Sequence, residues 1–338
     1  MRTTLRSEAG FTLAEMLIAT GLLLVISSIV TSALLQMTNH QQTIWNRTEM
    51  HSGVRGATEL LQQEVGQAGR IALPAAVTIT GSPVAASASA TACTTRSTVV
   101  NSTTGMWYDA ATNSGITLTF LDGDNYETVK LSGVNKATNT ITGCFWNAHG
   151  VGTPVSAMGA FVNGIIPKTG VVNGSTANKL KMFGDINGDG SMVYIEYYCD
   201  NGDVGTNGTH NLYRNMIKFD WDLAVDGAKP TTLTNSKILL SNVYSNPPDA
   251  GGVARPCFQY QETPLTVQST AFTFVLDVAV TLTVQTQVID PITKQFQTET
   301  KALLNVSPRN VFFAWELAGM GYTERIQSTP ATITALLP

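Results

Sequence analysis

Twenty consecutive uncharged residues, Met16 to Leu35, constrain this chain more than any other segment. As one helix they are long enough to cross the hydrocarbon core of a bilayer. A single acid, Glu15, stands at their N-terminal edge. A carboxylate in hydrocarbon costs on the order of 2.5–3.5 kcal/mol on insertion scales. The reading predicts that Glu15 has a cationic partner supplied from outside the run. Before it, Met1 to Gly10 carries Arg2, Arg6 and Glu8. That basic balance places the N-terminus in the cytoplasm and the bulk of the chain across the membrane. An ordinary secretory signal has a short apolar run followed by a small-residue cleavage site. Here the run is too long, and the small residue, Gly10, precedes it. A plain anchor accounts for the length and leaves Glu15 unexplained.

The helical pattern continues beyond the run. No proline occurs before Pro74. Val54, Ala57, Leu61, Val65 and Ala68 recur at steps of three and four, one stripe of an amphipathic helix. Gly66, Gly69 and Pro74 supply the stop. Phe11 to about Arg70 thus reads as one helix of roughly 90 Å. Its first half is apolar all round, and its second half has one face for a packed head.

Gly10-Phe11-Thr12-Leu13-Ala14-Glu15, followed by the apolar helix, resembles the type IV pilin family. The resemblance implies cleavage by a prepilin peptidase between Gly10 and Phe11 and methylation of the new amine of Phe11. It implies that Glu15 then pairs with the amino terminus of a neighbouring subunit, with Phe11, Thr12 and Glu15 carrying assembly. A free α-amine is mostly cationic at neutral pH, and methylation keeps the charge. Joining two charges in a low-dielectric core relieves a cost that each bears alone. Major pilins often carry a proline in the upper helix, which this chain lacks.

The implied organisation is a leader at 1–10, a membrane or filament-core helix at 11–37, a stem helix at 38–73 and a β-rich head at 74–338. The 264 residues after Pro74 are enough for one large domain or two smaller ones. Charged residues make up 13% of the chain, while Gly, Thr, Val, Ser and Asn abound, which suits a secreted β-rich fold. The fold class expected is α+β, a long N-terminal helix packed on a large antiparallel head. Pro74 to Gly105 reads as loop or loose strands. Strands are expected at 115–121, 127–131, 140–146, 192–199, 211–220, 237–243 and 258–260. A long alternating strand at 270–288 is answered by a hairpin partner at 296–306. Residues 307–311 read as closing the sheet, and the tail from Gln327 as loose.

Asn211-Leu212-Tyr213-Arg214-Asn215, the segment Ile238 to Val243, and Pro308-Arg309-Asn310-Val311 are similar to the PilW group of minor pilins. The J-type pseudopilins of type II secretion share part of this layout. Three readings follow: a minor pilin that primes assembly or forms a pilus tip, a pseudopilin, and a pilus-borne adhesin. The resemblance implies other minor and major pilins, the peptidase, an inner-membrane assembly platform and a tip adhesin as partners. The location implied is the inner membrane, with the head in the periplasm, and then the pilus and cell surface.

Cys93, Cys144, Cys199 and Cys257 form no C-x-x-C pair and all fall in the head. An even number in an oxidising compartment suggests two disulfides, for which three pairings exist. Sequence neighbours often meet in a β-meander, which favours Cys93–Cys144 and Cys199–Cys257. Each would close a loop of about 50 residues, worth roughly 4 kcal/mol.

Asp185, Asn187, Asp189, Gly190 and Glu196 fit the spacing of an EF-hand calcium loop. Against calcium, Asn-Gly and Asp-Gly are common hairpin turns, and a strand, not a helix, is expected after them. No phosphate-binding Gly loop or nucleophile elbow occurs, and His40, His51, His149 and His210 are scattered. The reading is not an enzyme. With net charge −4 and no basic run, no direct nucleic-acid partner is expected.

Overall fold

A computed structural model describes residues 10–89, 91–205, 208, 210–221, 226–229, 237–267 and 270–337. The fold is α+β: one long apolar N-terminal helix followed by a large body of antiparallel sheets. Helix α1 runs over Leu13–Gln67, 55 residues in one piece. It ends where the sequence supplies Gly69, whose φ of 80° is the left-handed conformation a helix exit needs.

The two halves of α1 differ in surroundings. Apolar side chains from Leu13 to Leu35 are between 52% and 80% exposed, so this half touches nothing. In the second half Val54, Ala57, Leu61, Val65 and Ala68 are all buried. They fill a layer between two sheets. One comprises Lys179–Gly184, Val193–Cys199, Asn211–Lys218 and Lys237–Ser241 in that order. The other is built on the 16-residue strand Thr270–Gln285, flanked by Phe258–Val267 and Thr298–Val306. Leu180, Met182, Ile195, Val278, Val280 and Leu282 join the α1 stripe in one core cluster. Each fully buried Val or Leu of the stripe contributes about 1.5–3 kcal/mol.

Residues between α1 and this core in sequence form a lobe, a six-stranded sheet in the order Val77–Thr78, Pro154–Ala157, Thr117–Phe120, Glu127–Asn135, Thr140–Phe145, Thr94–Val99, whose core runs on into Phe183, Tyr194 and Ile217. Val77–Thr78 and Thr94–Val99 lie in the stretch expected as loop or loose strands, while Lys179–Gly184 was not expected. All three are short, and polar Thr and Lys residues interrupt their apolar alternation.

Two corrections concern the C-terminal part. Residues 307–311 do not close a sheet; helix α2 covers Arg309–Gly319. Its buried Val311, Ala314, Leu317 and Ala318 recur at helical spacing and pack on Phe274 and Leu276. Phe312, Phe313 and Trp315 on its other side hide that period in the sequence. Nor is the tail loose. Ile326 is buried, and helix α3, Ala331–Leu336, buries Ile333 and Leu336 in the lobe core. Gln327 is buried too. Its Nε2 donates to the carbonyls of Thr117 (3.0 Å) and Met158 (2.9 Å), and its Oε1 accepts from the Thr117 N–H. Paired amide chemistry of this kind has no periodicity to read.

Glu64 sets the register of α1 on the head. Arg214 Nη2 donates to Glu64 Oε1 at 2.6 Å, its Nε reaches both carboxylate oxygens at 3.1 Å, and the Tyr197 hydroxyl donates to Oε2 at 2.5 Å. Both ionic side chains are largely buried, at 7% and 14% exposed. Removing one partner strands the other charge inside the fold. Glu64→Ala is expected to cost about 3–5 kcal/mol, against a smaller loss for the paired replacement Glu64→Gln with Arg214→Met. Urea unfolding of the detergent-solubilised chain, followed by circular dichroism, measures both.

Candidate functional site

At the start of α1 the sequence sets out an N-terminal box. Thr12 is the N-cap residue, with extended φ and ψ of −76° and 152°. Its hydroxyl accepts from the Glu15 N–H at 3.3 Å. In return Glu15 Oε2 accepts from the Thr12 N–H and the Thr12 hydroxyl, each at 2.9 Å. This reciprocal pair satisfies two orphan donors of the first turn. It stands beside the cationic partner expected for Glu15 from outside the run. Within one chain the acid already has polar partners, and the Thr-x-x-Glu pattern was the signal that would have shown it. Both bonds go to Oε2. Oε1 has no partner among the described residues and faces outward from an exposed turn.

Gly10 is exposed, and Phe11 is 85% exposed. Residues 1–9, and with them Arg2, Arg6 and Glu8 of the expected leader, lie outside the described residues. Beyond the box α1 is long and apolar enough to cross a membrane, with a mean hydropathy of 2.2 in a window that buries none of its surface. The site therefore joins an outward carboxylate oxygen to an apolar cylinder with no covering.

The head holds two disulfides. Cys93 is bonded to Cys144, tying the strand Thr94–Val99 to the end of its neighbour Thr140–Phe145 in the lobe. Cys199 is bonded to Cys257, joining the two sheets that enclose α1 beside the buried stripe.

The candidate calcium loop comes apart. Residues 185–192 are a hairpin turn that pairs Gly184 with Val193. Asp185 is fully buried, with Arg70 Nε 3.4 Å from its Oδ2 and the Gly190 N–H donating to its Oδ1 at 3.3 Å. Asp189 Oδ1 accepts from the Ser191 N–H. Glu196 is elsewhere: Lys229 Nζ and the Tyr194 hydroxyl each lie 2.7 Å from its Oε1, and Lys181 Nζ 3.9 Å. Glu196 thus stands apart from Asp185 and Asp189, and no group of three or more His, Cys, Asp or Glu suited to a metal occurs among the described residues. The reason is backbone geometry. An extended strand carries Glu196 away at about 3.3 Å per residue, where the helix of an EF-hand would fold it back.

His149 lies in the polar stretch 146–150 after the strand Thr140–Phe145. It is buried, stacked on Phe120, with Nε2 2.7 Å from Glu127 Oε1. Together with Asp122, which accepts from the Gly150 N–H and the Thr153 hydroxyl, it closes one end of the lobe.

No family model matches the chain, and no curated protein or solved structure matches it.

Lys181 and Lys229 hold the chain's last described turn. Their ammonium groups donate to the carbonyls of Leu337 and Leu336, and both face Glu196. Burial, above all, pulls the Lys181 amine down to about 8, opposed by the nearby Glu196 carboxylate. Between pH 8 and its unfolded value near 10.4, the native amine is neutral while the unfolded one still binds a proton. Stability supplied at this site therefore rises with pH through that window and is lowest below it. The unfolding free energy of the wild type relative to Lys181→Met is expected to shift in favour of the wild type from pH 8 to 10, measured by thermal melts at stepped pH.

Proposed function

We propose that this chain is a minor pilin of a type IV pilus, of the PilW kind. In this reading a prepilin peptidase cleaves it after Gly10 in the inner membrane, leaving the head in the periplasm. The mature chain then enters a filament through its N-terminal helix, where it primes assembly or forms the tip, in company with other minor and major pilins. One observation carries the reading. Glu15 satisfies its own helix with one oxygen and leaves the other outward, at the foot of an apolar half-helix that nothing covers.

The physical logic has two parts. The uncovered half-helix gains by packing on like helices as much as on lipid, through close contact and polar pairing. Oε1 offers the amine of an incoming Phe11 a strong charge-assisted bond in a low-dielectric layer. Cys93–Cys144 and Cys199–Cys257 are in keeping with a head that leaves the cytoplasm. The large head suits a rare subunit better than the repeating one, because its bulk is hard to accommodate at every position of a fibre.

Mass spectrometry of the mature chain is expected to find methylated Phe11 as the first residue. Two substitutions separate the local from the assembly role of Glu15. Glu15→Ala removes both the cap and the charge, whereas Glu15→Gln keeps the cap and removes only the charge. Both variants are expected to insert in the membrane and to be depleted at least tenfold from sheared fibres by quantitative immunoblot. Wild-type incorporation of Glu15→Gln removes the pairing mechanism. Deletion should abolish piliation; loss of protein secretion with normal pili assigns the chain to a type II system instead.

A further inference from the structure

The strand Thr270–Gln285 and its partner Thr298–Val306 are joined by a loop, residues 286–297, at the end of the head nearest the apolar half of α1. Its level along the helix is fixed by side-chain contacts. The Asp290 carboxylate lies close to the Thr43 side chain, Arg47 Nε donates to Gln297 Oε1 at 2.7 Å, and His51 meets Glu299 just beyond. The loop is therefore the lowest part of the head on this side, beside residues 43–47.

Its surface is unusual for a solvent-facing turn. Val288, Ile289 and Ile292 are 44%, 50% and 49% exposed, and Ile44 and Trp45 on the adjoining helix are 64% and 73% exposed. The one acid of the loop is turned inward: Asp290 is buried and accepts from the N–H groups of Ile292 and Thr293 and from Gln297 Nε2. The loop's one base, Lys294, is exposed, a residue that sits readily at a membrane interface with its ammonium in the headgroups. An exposed apolar set of this kind, with its acid withdrawn, marks an interaction surface.

We propose that this loop, with Ile44 and Trp45, seats the head on the outer face of the bilayer that α1 crosses. The proposal rests on reading the apolar half of α1 as a membrane span. Distance favours lipid as the occupant. Between Met37, the last apolar residue of the span, and Ile44 lie only Thr38 to Thr43. Six residues of helix raise Thr43 about 9 Å above Met37, and the headgroup layer is about 5–7 Å thick on each side. The remaining gap is of the order of one side chain. Tilt closes it. Leu13 to Met37 would extend about 37 Å as a helix, against about 30 Å of hydrocarbon. Such excess length is relieved by leaning, and leaning toward the loop lowers it onto the headgroups. Branched apolar side chains and a Trp at that depth match what membrane interfaces hold. In this pose the head is tethered twice, by the span and by the loop, and entering a filament frees the second contact.

Depth measurements on the full chain in phosphatidylethanolamine–phosphatidylglycerol vesicles test this. A nitroxide is placed in turn at Ile289→Cys, Ile292→Cys, Phe313→Cys and Val25→Cys. Phe313 lies on α2, whose Asn310 is bonded to the Gln67 carbonyl at the far end of α1. The ratio of oxygen to nickel-chelate accessibility is expected to be several-fold higher at positions 289 and 292 than at 313, and highest at 25. Equal, water-like ratios at 289, 292 and 313, with a deep label at 25, overturn the seating and leave the span intact. A label at 25 that is not deep in the bilayer overturns the span itself, and the seating with it. Shielding of 289 from both reagents that grows with copies per vesicle assigns the loop to a sister chain and also overturns lipid contact. Two label sites guard against a single cysteine disturbing the turn, and melting temperatures of each variant report on folding.

Discussion

The bond that the rest of this structure depends on is the clamp of Glu64 by Arg214 and Tyr197. Helix α1 could slide on its apolar stripe by one turn and still bury a valine or a leucine, since Val54, Ala57, Leu61, Val65 and Ala68 repeat at helical spacing. A charge buried among these sheets has one place to go. Pairing it fixes where the head sits along the helix, and so how far the uncovered half projects. A buried ion pair adds little net stability over well-packed apolar residues, yet losing one partner strands a charge in the core. Arg70 against buried Asp185 repeats the device at the helix end.

A fixed projection gives meaning to the first turn of α1. The Thr12–Glu15 box starts the helix in a defined place without help from another molecule. A carboxylate bonded within its own first turn bears a lower cost in hydrocarbon than a bare buried charge. This softens the penalty that the sequence pattern implies for a lone Glu in hydrocarbon.

Long-period signals made the helix and the largest strands legible. The expected span from Phe11 to about Arg70 became Leu13–Gln67, and the alternation at 270–288 became Thr270–Gln285. What stayed hidden had physical causes that act at short range or between distant residues. Helix α2 is masked by the aromatics Phe312, Phe313 and Trp315 on the side away from its buried face, and α3 is held by lysines more than 100 residues away in sequence. The acidic turn has the spacing of a cation loop, yet Glu196 belongs to Lys229 and Tyr194, because the following segment is extended. At the N-terminus the residues of the candidate site stand plainly in the sequence, and Thr-x-x-Glu writes the cap of α1 into the same residues that carry the charge.

Where α1 leaves the head, its backbone is stitched directly into the sheets. The Gly69 N–H donates to the Phe183 carbonyl, the Gly69 carbonyl accepts from Phe161, and the Arg70 carbonyl accepts from Asp185. Gly69 and Gly164 meet so closely that a β-carbon on Gly164 would fall 2.2 Å from the Gly69 Cα. A pull on the helix thus reaches the body through these main-chain bonds, with the ionic clamp behind them. Tensile load on the shaft is spread over a stiff, keyed joint, and the head stays on its handle.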